Sequence, residues 1–425
     1  MGLDFNSTAV KQNIIRAEYG MEKESLRTDL NGNLSHTLHP FVDDPNIDRD
    51  FCENQIEIIS DVFDNADALL AHIDDIHNKI YSALNERKEL LWPFSNPPLV
   101  KGEDDIPVAG FTGEMRSKTV YRNYLAKKYG KMKMLFSGIH FNFSFTDELI
   151  TVAASAAGKN KFDFKNSIYL ELAKKLVEYN WLIVYLTAAS PVMDESFVRY
   201  SGFSAESAHS YASVRCSRVG YWNDFIPILG YESIEDYIVS VQKYIDAGKL
   251  KSVSELYYPV RMKPRGKNTL EGLRNGINHI ELRTLDLNPL TRAGIFKEDI
   301  HFIHVLMVYL LSIENRYSDE NAQIRSVLNI KRAAMFDDKN NHIEFADGSL
   351  PLREAALREL DRIRVFAQKY LPVYLYAVEY QQKKLTDGRR YAEIVKEQYS
   401  DEFVQKGIEL AKSYSHAPKG AAVYV

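Results

Sequence analysis

The stretch Gly138-Ile-His-Phe-Asn-Phe-Ser-Phe145 alternates without a break. In a strand, His140, Asn142 and Ser144 share one face, and Ile139, Phe141, Phe143 and Phe145 share the other. Asn278 to Asp286 repeats the pattern, with His279, Glu281 and Arg283 on one side and Ile280 and Leu282 opposite. Strands of this kind are intermixed with helical stretches, and no regular βαβ rhythm links them. The expected class is therefore α+β with a mostly antiparallel sheet.

Outward from these strands, Ile14 to Leu34 reads as a hairpin about the turn Asp29-Leu30-Asn31-Gly32-Asn33. Asn65 to Leu91 reads as a helix capped by Asn65 and stopped by Trp92-Pro93. A Pro- and Gly-rich loop runs from Ser95 to Gly113. Helices are expected over Ser167 to Thr187 and Ile234 to Ala247, over Pro351 to Tyr380 with a kink at Pro372, and from about Arg390 to Tyr414. No repeat or linker divides the 425 residues. We expect one catalytic domain over residues 1–425, with a helical C-terminal part from about 296.

The net charge of −5 comes from interspersed acids and bases, which weighs against a nucleic-acid partner. Cys52 and Cys216 form no CxxC pair or disulfide framework, as expected in a reducing cytosol. The N-terminus has no apolar signal core, and no apolar run reaches the ~18 residues of a membrane span. A cytoplasmic protein without a membrane partner is expected. Neither GxGxxG nor GxxxxGK[ST] occurs.

Glu22 and Glu24 lie two apart in a strand-like run, so both carboxylates share a face. Such a pair is either a solvated strand edge or a cation site, since close like charges disfavour each other's ionisation. Asp50 and Glu57 bracket Phe51 to Ile56. Glu57, set among Ile56, Ile58 and Ile59, needs either a core arginine or a metal. His140 is either a satisfied structural histidine or a ligand. Glu281 beside Arg283 is either a structural ion pair or a metal ligand next to a phosphate-binding guanidinium. Together these five carboxylates and one histidine are rich in oxygen donors. They suit Mg²⁺ or Mn²⁺ better than zinc or iron–sulfur clusters. Divalent ions beside a phosphate-binding arginine are expected where ATP is cleaved.

The segments Tyr19-Gly-Met-Glu-Lys-Glu-Ser-Leu-Arg27, Asp50-Phe-Cys-Glu-Asn-Gln-Ile-Glu57, Leu91-Trp-Pro-Phe-Ser-Asn-Pro97, Tyr121-Arg122, Tyr129-Gly130, Ser137 to Ser144 and His279 to Pro289 resemble bacterial glutamate–cysteine ligase, also called γ-glutamylcysteine synthetase. They follow the family's order from about residue 15 to 295. The resemblance implies a fold related to glutamine synthetase, a curved antiparallel sheet forming a funnel within helices. It implies metal ligands at Glu22, Glu24, Asp50, Glu57, His140 and Glu281, and a phosphate contact at Arg283. It places Asn142 and Arg215 on glutamate, and Phe51, Tyr121, Leu125, Tyr221 and Tyr257 around cysteine. Met134 stands where some relatives carry glutamine near the cysteine pocket. The chain is also shorter than many relatives.

The activity implied is ATP-dependent ligation of the glutamate γ-carboxylate to the cysteine amine through γ-glutamyl phosphate. Its substrates are glutamate, cysteine and ATP, with Mg²⁺ or Mn²⁺ as the metal. With nothing after Val425 to supply a glutathione synthetase domain, only this first step of glutathione synthesis is expected. The rival readings are a γ-glutamyl ligase for another amine, a guanidino kinase, and a non-catalytic binding relative.

Overall fold

The computed structural model describes residues 2–204, 209–314 and 319–417. Its main sheet has seven strands: β1 (Ala17–Asp29), β2 (Ile47–Arg49), β3 (Gln55–Ile59), β4 (Glu89–Leu91), β5 (Gly138–Phe145), β6 (Val260–Pro264) and β7 (Ile277–Asp286). The order is β2-β3-β1-β5-β7-β6, with every pair antiparallel, and β4 pairs with the far end of β1. The expected α+β class with an antiparallel sheet is what the structure has.

Alternation decides which face is packed. Tyr19, Met21, Ile139, Phe141, Phe143, Ile280 and Leu282 are all buried on one side, each large apolar side chain contributing about 1.5–3 kcal/mol. Three helices meet that face. Lys161–Thr187 takes a hydrogen bond from Thr284 Oγ1 to Asn180 Oδ1 at 2.8 Å. Lys297–Leu310 sets His304 Nδ1 2.7 Å from Tyr19 Oη. Ala66–Glu86, capped by Asn65 Oδ1 on the Ala68 N–H, sets His77 Nε2 2.7 Å from Lys23 Nζ. The other face is left to the charged members of the same strands.

The local readings differ from the structure at four places. The hairpin at Ile14–Leu34 is one thirteen-residue strand. Its turn is real, with Gly32 at φ 83°, but only an isolated Thr28–Leu34 bridge returns, because β3, β4 and β5 already occupy the edges of β1. The helix from Asn65 stops at Glu86. Lys88, at φ 57°, turns the chain, and Glu89–Leu91 becomes β4. Pro372 does not kink a helix but separates two, Leu352–Tyr370 and Leu375–Thr386. The last helix is likewise two, Tyr391–Tyr399 and Phe403–His416, parted by Glu402 at φ 57°.

Candidate active site

Strand register carries the charged residues across the sheet in one line. Glu57 on β3 lies opposite Glu24 on β1, Glu22 opposite His140 on β5, and Asn142 opposite Glu281 on β7. Arg261 on β6 lies opposite Glu281 as well. Residues directly opposite in neighbouring strands point to the same side, so side chains far apart in sequence converge. Donor atoms of Glu22, His140 and Glu281 all lie within 4.8 Å of one another. His140 bridges the group, with Nδ1 3.2 Å from Glu22 Oε2 and Nε2 3.7 Å from Glu24 Oε1.

Charge at this centre is out of balance. Burial and the nearby Asp50 push the Glu24 carboxyl up to about 8, against the pull of Arg215 and Arg283. Burial together with Asp50, Glu22 and Glu24 raises Glu57 well above the carboxylate range. Burial also opposes ionisation of Glu281, but Arg283, Lys263 and Arg261 outweigh it and hold its carboxyl well below that range. Burial and Arg283 press the His140 imidazole down to about 4, so the ring is neutral and able to ligate. Its Nε2 has no hydrogen-bond partner among the described residues, and neither does Asn142 Oδ1. Crowded carboxylates, a neutral imidazole and orphaned acceptors in an oxygen-rich set fit a divalent cation such as Mg²⁺.

Glycine and a bulge shape the next part of the site. Between the pairs Ile139–Leu285 and Phe141–Leu282, β7 carries one residue more than β5, a bulge opposite His140. The shift sets Asp286 opposite Gly138. There the buried Asp286 carboxylate accepts from the Ala189 N–H at 3.0 Å, Ser190 Oγ at 2.8 Å and Ser213 Oγ at 2.9 Å. These bonds fasten the loop that carries Arg215. The Arg215 guanidinium lies over Gly138, where a Cβ would come within 2.4 Å of it. It donates to the Arg283 carbonyl at 2.6 Å. The Gly138 N–H donates to Glu24 Oε2 at 3.1 Å.

A narrow cleft opens here, lined by Arg215, Tyr221, Tyr257, Arg283 and neighbours. The Tyr221 and Tyr257 rings are 4.3 Å apart, and burial raises both phenols. Burial lifts Tyr121 to about 12. The hydroxyls of Tyr121 and Tyr257 are buried without partners among the described residues. Of the residues expected around the acceptor, Phe51, Leu125 and Met134 are buried in the hydrophobic core and Tyr121 packs against it; the lining of this cleft includes none of the four.

Sequence reasoning missed the residues that hold this pocket. Glu255, fully buried, takes Lys128 Nζ at 2.5 Å and Tyr129 Oη at 2.7 Å. Asn223 donates to the Glu255 carbonyl at 2.9 Å and accepts from the Tyr257 N–H at 2.9 Å. It also missed Arg261 and Lys263, although Val-Arg-Met-Lys alternates as the other strands do.

Comparison with known proteins points to one family. A family model described as glutamate-cysteine ligase matches residues 4–252 and 242–333. The glutathione biosynthesis bifunctional protein of Listeria welshimeri is 36% identical over 437 residues, covering 97% of this chain and 56% of the relative. The chain thus spans little more than half the length of that relative. The glutamate–cysteine ligase of Clostridium acetobutylicum is 32% identical over 404 residues, covering 82% of this chain and 84% of the relative. A bifunctional glutathione synthetase from Pasteurella multocida superposes with a TM-score of 0.83 at 27% identity, over 96% of this chain and 53% of that one. A glutamate–cysteine ligase from Francisella tularensis, solved in complex with AMP, shares the fold at a TM-score of 0.84 and 24% identity, over 96% of this chain and 91% of that one.

Proposed function

The chain belongs to the glutamate–cysteine ligase family, and we propose that it joins the γ-carboxylate of glutamate to the amine of cysteine, converting ATP to ADP and phosphate. The observation that carries this reading is the line of Glu57, Glu24, Glu22, His140 and Glu281 across one sheet face, with Arg283 on Glu281, beside the cleft of Arg215, Tyr221 and Tyr257.

Glu22, His140 and Glu281 would hold one Mg²⁺, and Glu24, Asp50 and Glu57 would serve a second. The bound metal would neutralise carboxylate and triphosphate charge. The chain's own residues set up the chemistry. Arg215, held over Gly138, and Asn142 orient glutamate so that its γ-carboxylate oxygen attacks the γ-phosphorus of ATP. The planar Arg283 fork takes up charge on the transferred phosphoryl group. The product, γ-glutamyl phosphate, offers phosphate as a leaving group where free carboxylate would have to expel oxide. The cysteine amine, placed by Tyr221, Tyr257 and Tyr121, then attacks the acyl carbon. Phosphate departs with the proton that the amine gives up, and the isopeptide bond remains. A reducing cytosol fits the two free, buried thiols of Cys52 and Cys216.

The test is an ADP-release assay with glutamate and a panel of amines, with product masses measured. Cysteine should give a γ-glutamyl product, chelation should abolish it, and Mg²⁺ should restore it. A γ-glutamyl product from another amine alone would leave the ligase chemistry and remove the acceptor assignment. Phosphorylation of a guanidinium compound would replace the reading with a kinase.

A further inference from the structure

Three cations surround the Glu281 carboxylate, and they are not equivalent. Arg283 Nη1 is 3.0 Å from Oε2, Lys263 Nζ is 3.0 Å from Oε1, and Arg261 Nη1 is 3.7 Å from Oε2. Arg261 is committed to the fold. Its Nε and Nη2 donate to the Leu256 carbonyl at 2.9 and 2.6 Å, and Nη2 also donates to the Ser254 carbonyl at 2.7 Å. Lys263 has no such commitment. Among the described residues its ammonium has one hydrogen-bond acceptor, Glu281 Oε1, and 17% of its side chain is exposed. An ammonium has three N–H donors, so two are unspent.

Position separates Lys263 from Arg283. Lys263 sits opposite His279 on β7, while Arg283 is two residues beyond Glu281 in the other direction along the same strand. The two cations therefore flank the carboxylate. A cation bound at Glu281 would share the one carboxylate that now answers both of them. Two cations on either side of a carboxylate-bound cation match an extended polyanion rather than a single phosphoryl group.

We propose that Lys263 is a second phosphate-binding catalytic residue, which contacts the non-transferred phosphates of the nucleotide while Arg283 serves the transferred one. As the bond from the γ-phosphorus to its bridging oxygen breaks, the electron pair stays on the β-phosphate of ADP, and the Lys263 ammonium donates to that phosphate. The new bond joins the γ-phosphorus to the glutamate carboxylate oxygen. This inference rests on the ligase reading above.

The experiment combines Mg·ADP titration calorimetry with steady-state kinetics on wild type, Lys263→Met and Lys263→Arg. Lys263→Met should weaken Mg·ADP binding and raise the ATP KM by about 10- to 100-fold, the range of a charge-assisted hydrogen bond. The KM for glutamate and for cysteine should change little, and Lys263→Arg should recover part of the loss. In wild type, Mg·ADP should shield Lys263 from amine acetylation, read by peptide mass spectrometry. This arm stands even if the methionine variant does not fold. Equal acetylation with and without Mg·ADP overturns the proposal, as does a defect confined to the glutamate KM. If wild type binds Mg·ADP and makes γ-glutamylcysteine while Lys263 is unshielded, this inference alone fails. If wild type makes no γ-glutamyl product, the ligase reading fails first.

Discussion

Strand β1 carries two buried charge clusters a few residues apart, and they are built on opposite plans. At Arg27, Nη1 meets Glu89 Oε2 at 2.6 Å and Thr37 Oγ1 at 2.7 Å. Its Nη2 donates to the carbonyls of Thr37 and Glu53 at 2.8 and 3.1 Å. Glu89 Oε1 in turn accepts from the Ser35 and Thr37 hydroxyls, each at 2.5 Å. One positive charge meets one negative charge, and the hydroxyls and carbonyls around them are used. At Glu22 and Glu24 the like charges exceed their partners, the Glu24 carboxyl rises to about 8, and His140 Nε2 and Asn142 Oδ1 are orphaned. The first cluster balances its charge within the chain, with only Arg27 Nε left buried and unpartnered there among the described residues. The second becomes complete only with something added, which is how a buried binding site differs from a buried brace.

Breaking the brace should have the largest effect. Glu89→Ala leaves the Arg27 guanidinium buried and unpaired, and burial already works against its charge. The expected loss is about 3–5 kcal/mol of unfolding free energy, the cost of orphaning one member of a buried pair. Urea unfolding followed by circular dichroism checks it. A loss below about 1 kcal/mol, the size of an exposed pair, would mean that the cluster is less essential than its geometry indicates.

Arg283 should show the reverse profile. Arg283→Lys keeps a charge but loses the planar fork. Turnover should fall about 10²–10³-fold, the range for removal of a positioned charge-stabilising donor, with the melting temperature nearly unchanged. Equal damage to turnover and melting would assign Arg283 to the fold, alongside Arg27.

Asn223 tests the edge of the site. Asn223→Ala removes the acceptor that holds the Tyr257 N–H and the donor to the Glu255 carbonyl. The cost is about 1–3 kcal/mol for groups left unpaired. It should appear mainly as a raised cysteine KM, with the glutamate and ATP constants less affected. A uniform rise in all three would mean that the network braces the whole sheet.

What the sequence made legible follows from which residues pack. β5 and β7 bury one full apolar face, so Ile139, Phe141 and Phe143, or Ile280 and Leu282, mark the period directly. The charged residues between them could be read as one site because register does the rest. β6 was missed although Val260 and Met262 alternate with Arg261 and Lys263, since the run is five residues and ends on Pro264. The β4 segment Glu89-Leu90-Leu91 continues a helical apolar spacing. Only the tertiary demand of Arg27 for Glu89, with Lys88 in a left-handed turn, makes it a strand. The bracing of the acceptor pocket by Glu255 and Asn223 was not legible, because one ends a single three-residue helical turn, the other lies in a loop, neither carries a period, and their partners lie far along the chain.

The smallest predicted effect is the most discriminating. Glu24→Gln keeps an oxygen to accept the Gly138 N–H and removes the cost of burying an acid that burial and Asp50 push up to about 8, so that near neutral pH it must take up a proton on folding. In chelated protein the substitution should therefore raise stability, by roughly 0.5–2 kcal/mol, the usual yield from relieving a strained functional site. It should also abolish ligation, since a neutral amide is a weak ligand for a hard cation. Added Mg²⁺ should raise the melting temperature of wild type by mass action and that of the variant much less. The same Glu-to-Gln exchange at Glu89 should destabilise, because there the carboxylate answers Arg27 rather than competing with its neighbours. Paired melting curves of both variants, with and without Mg²⁺, give the comparison its sign. If Glu24→Gln destabilises the chelated protein as Glu89→Gln does, the carboxylates around Glu24 are braces too, and the distinction between the two clusters is lost.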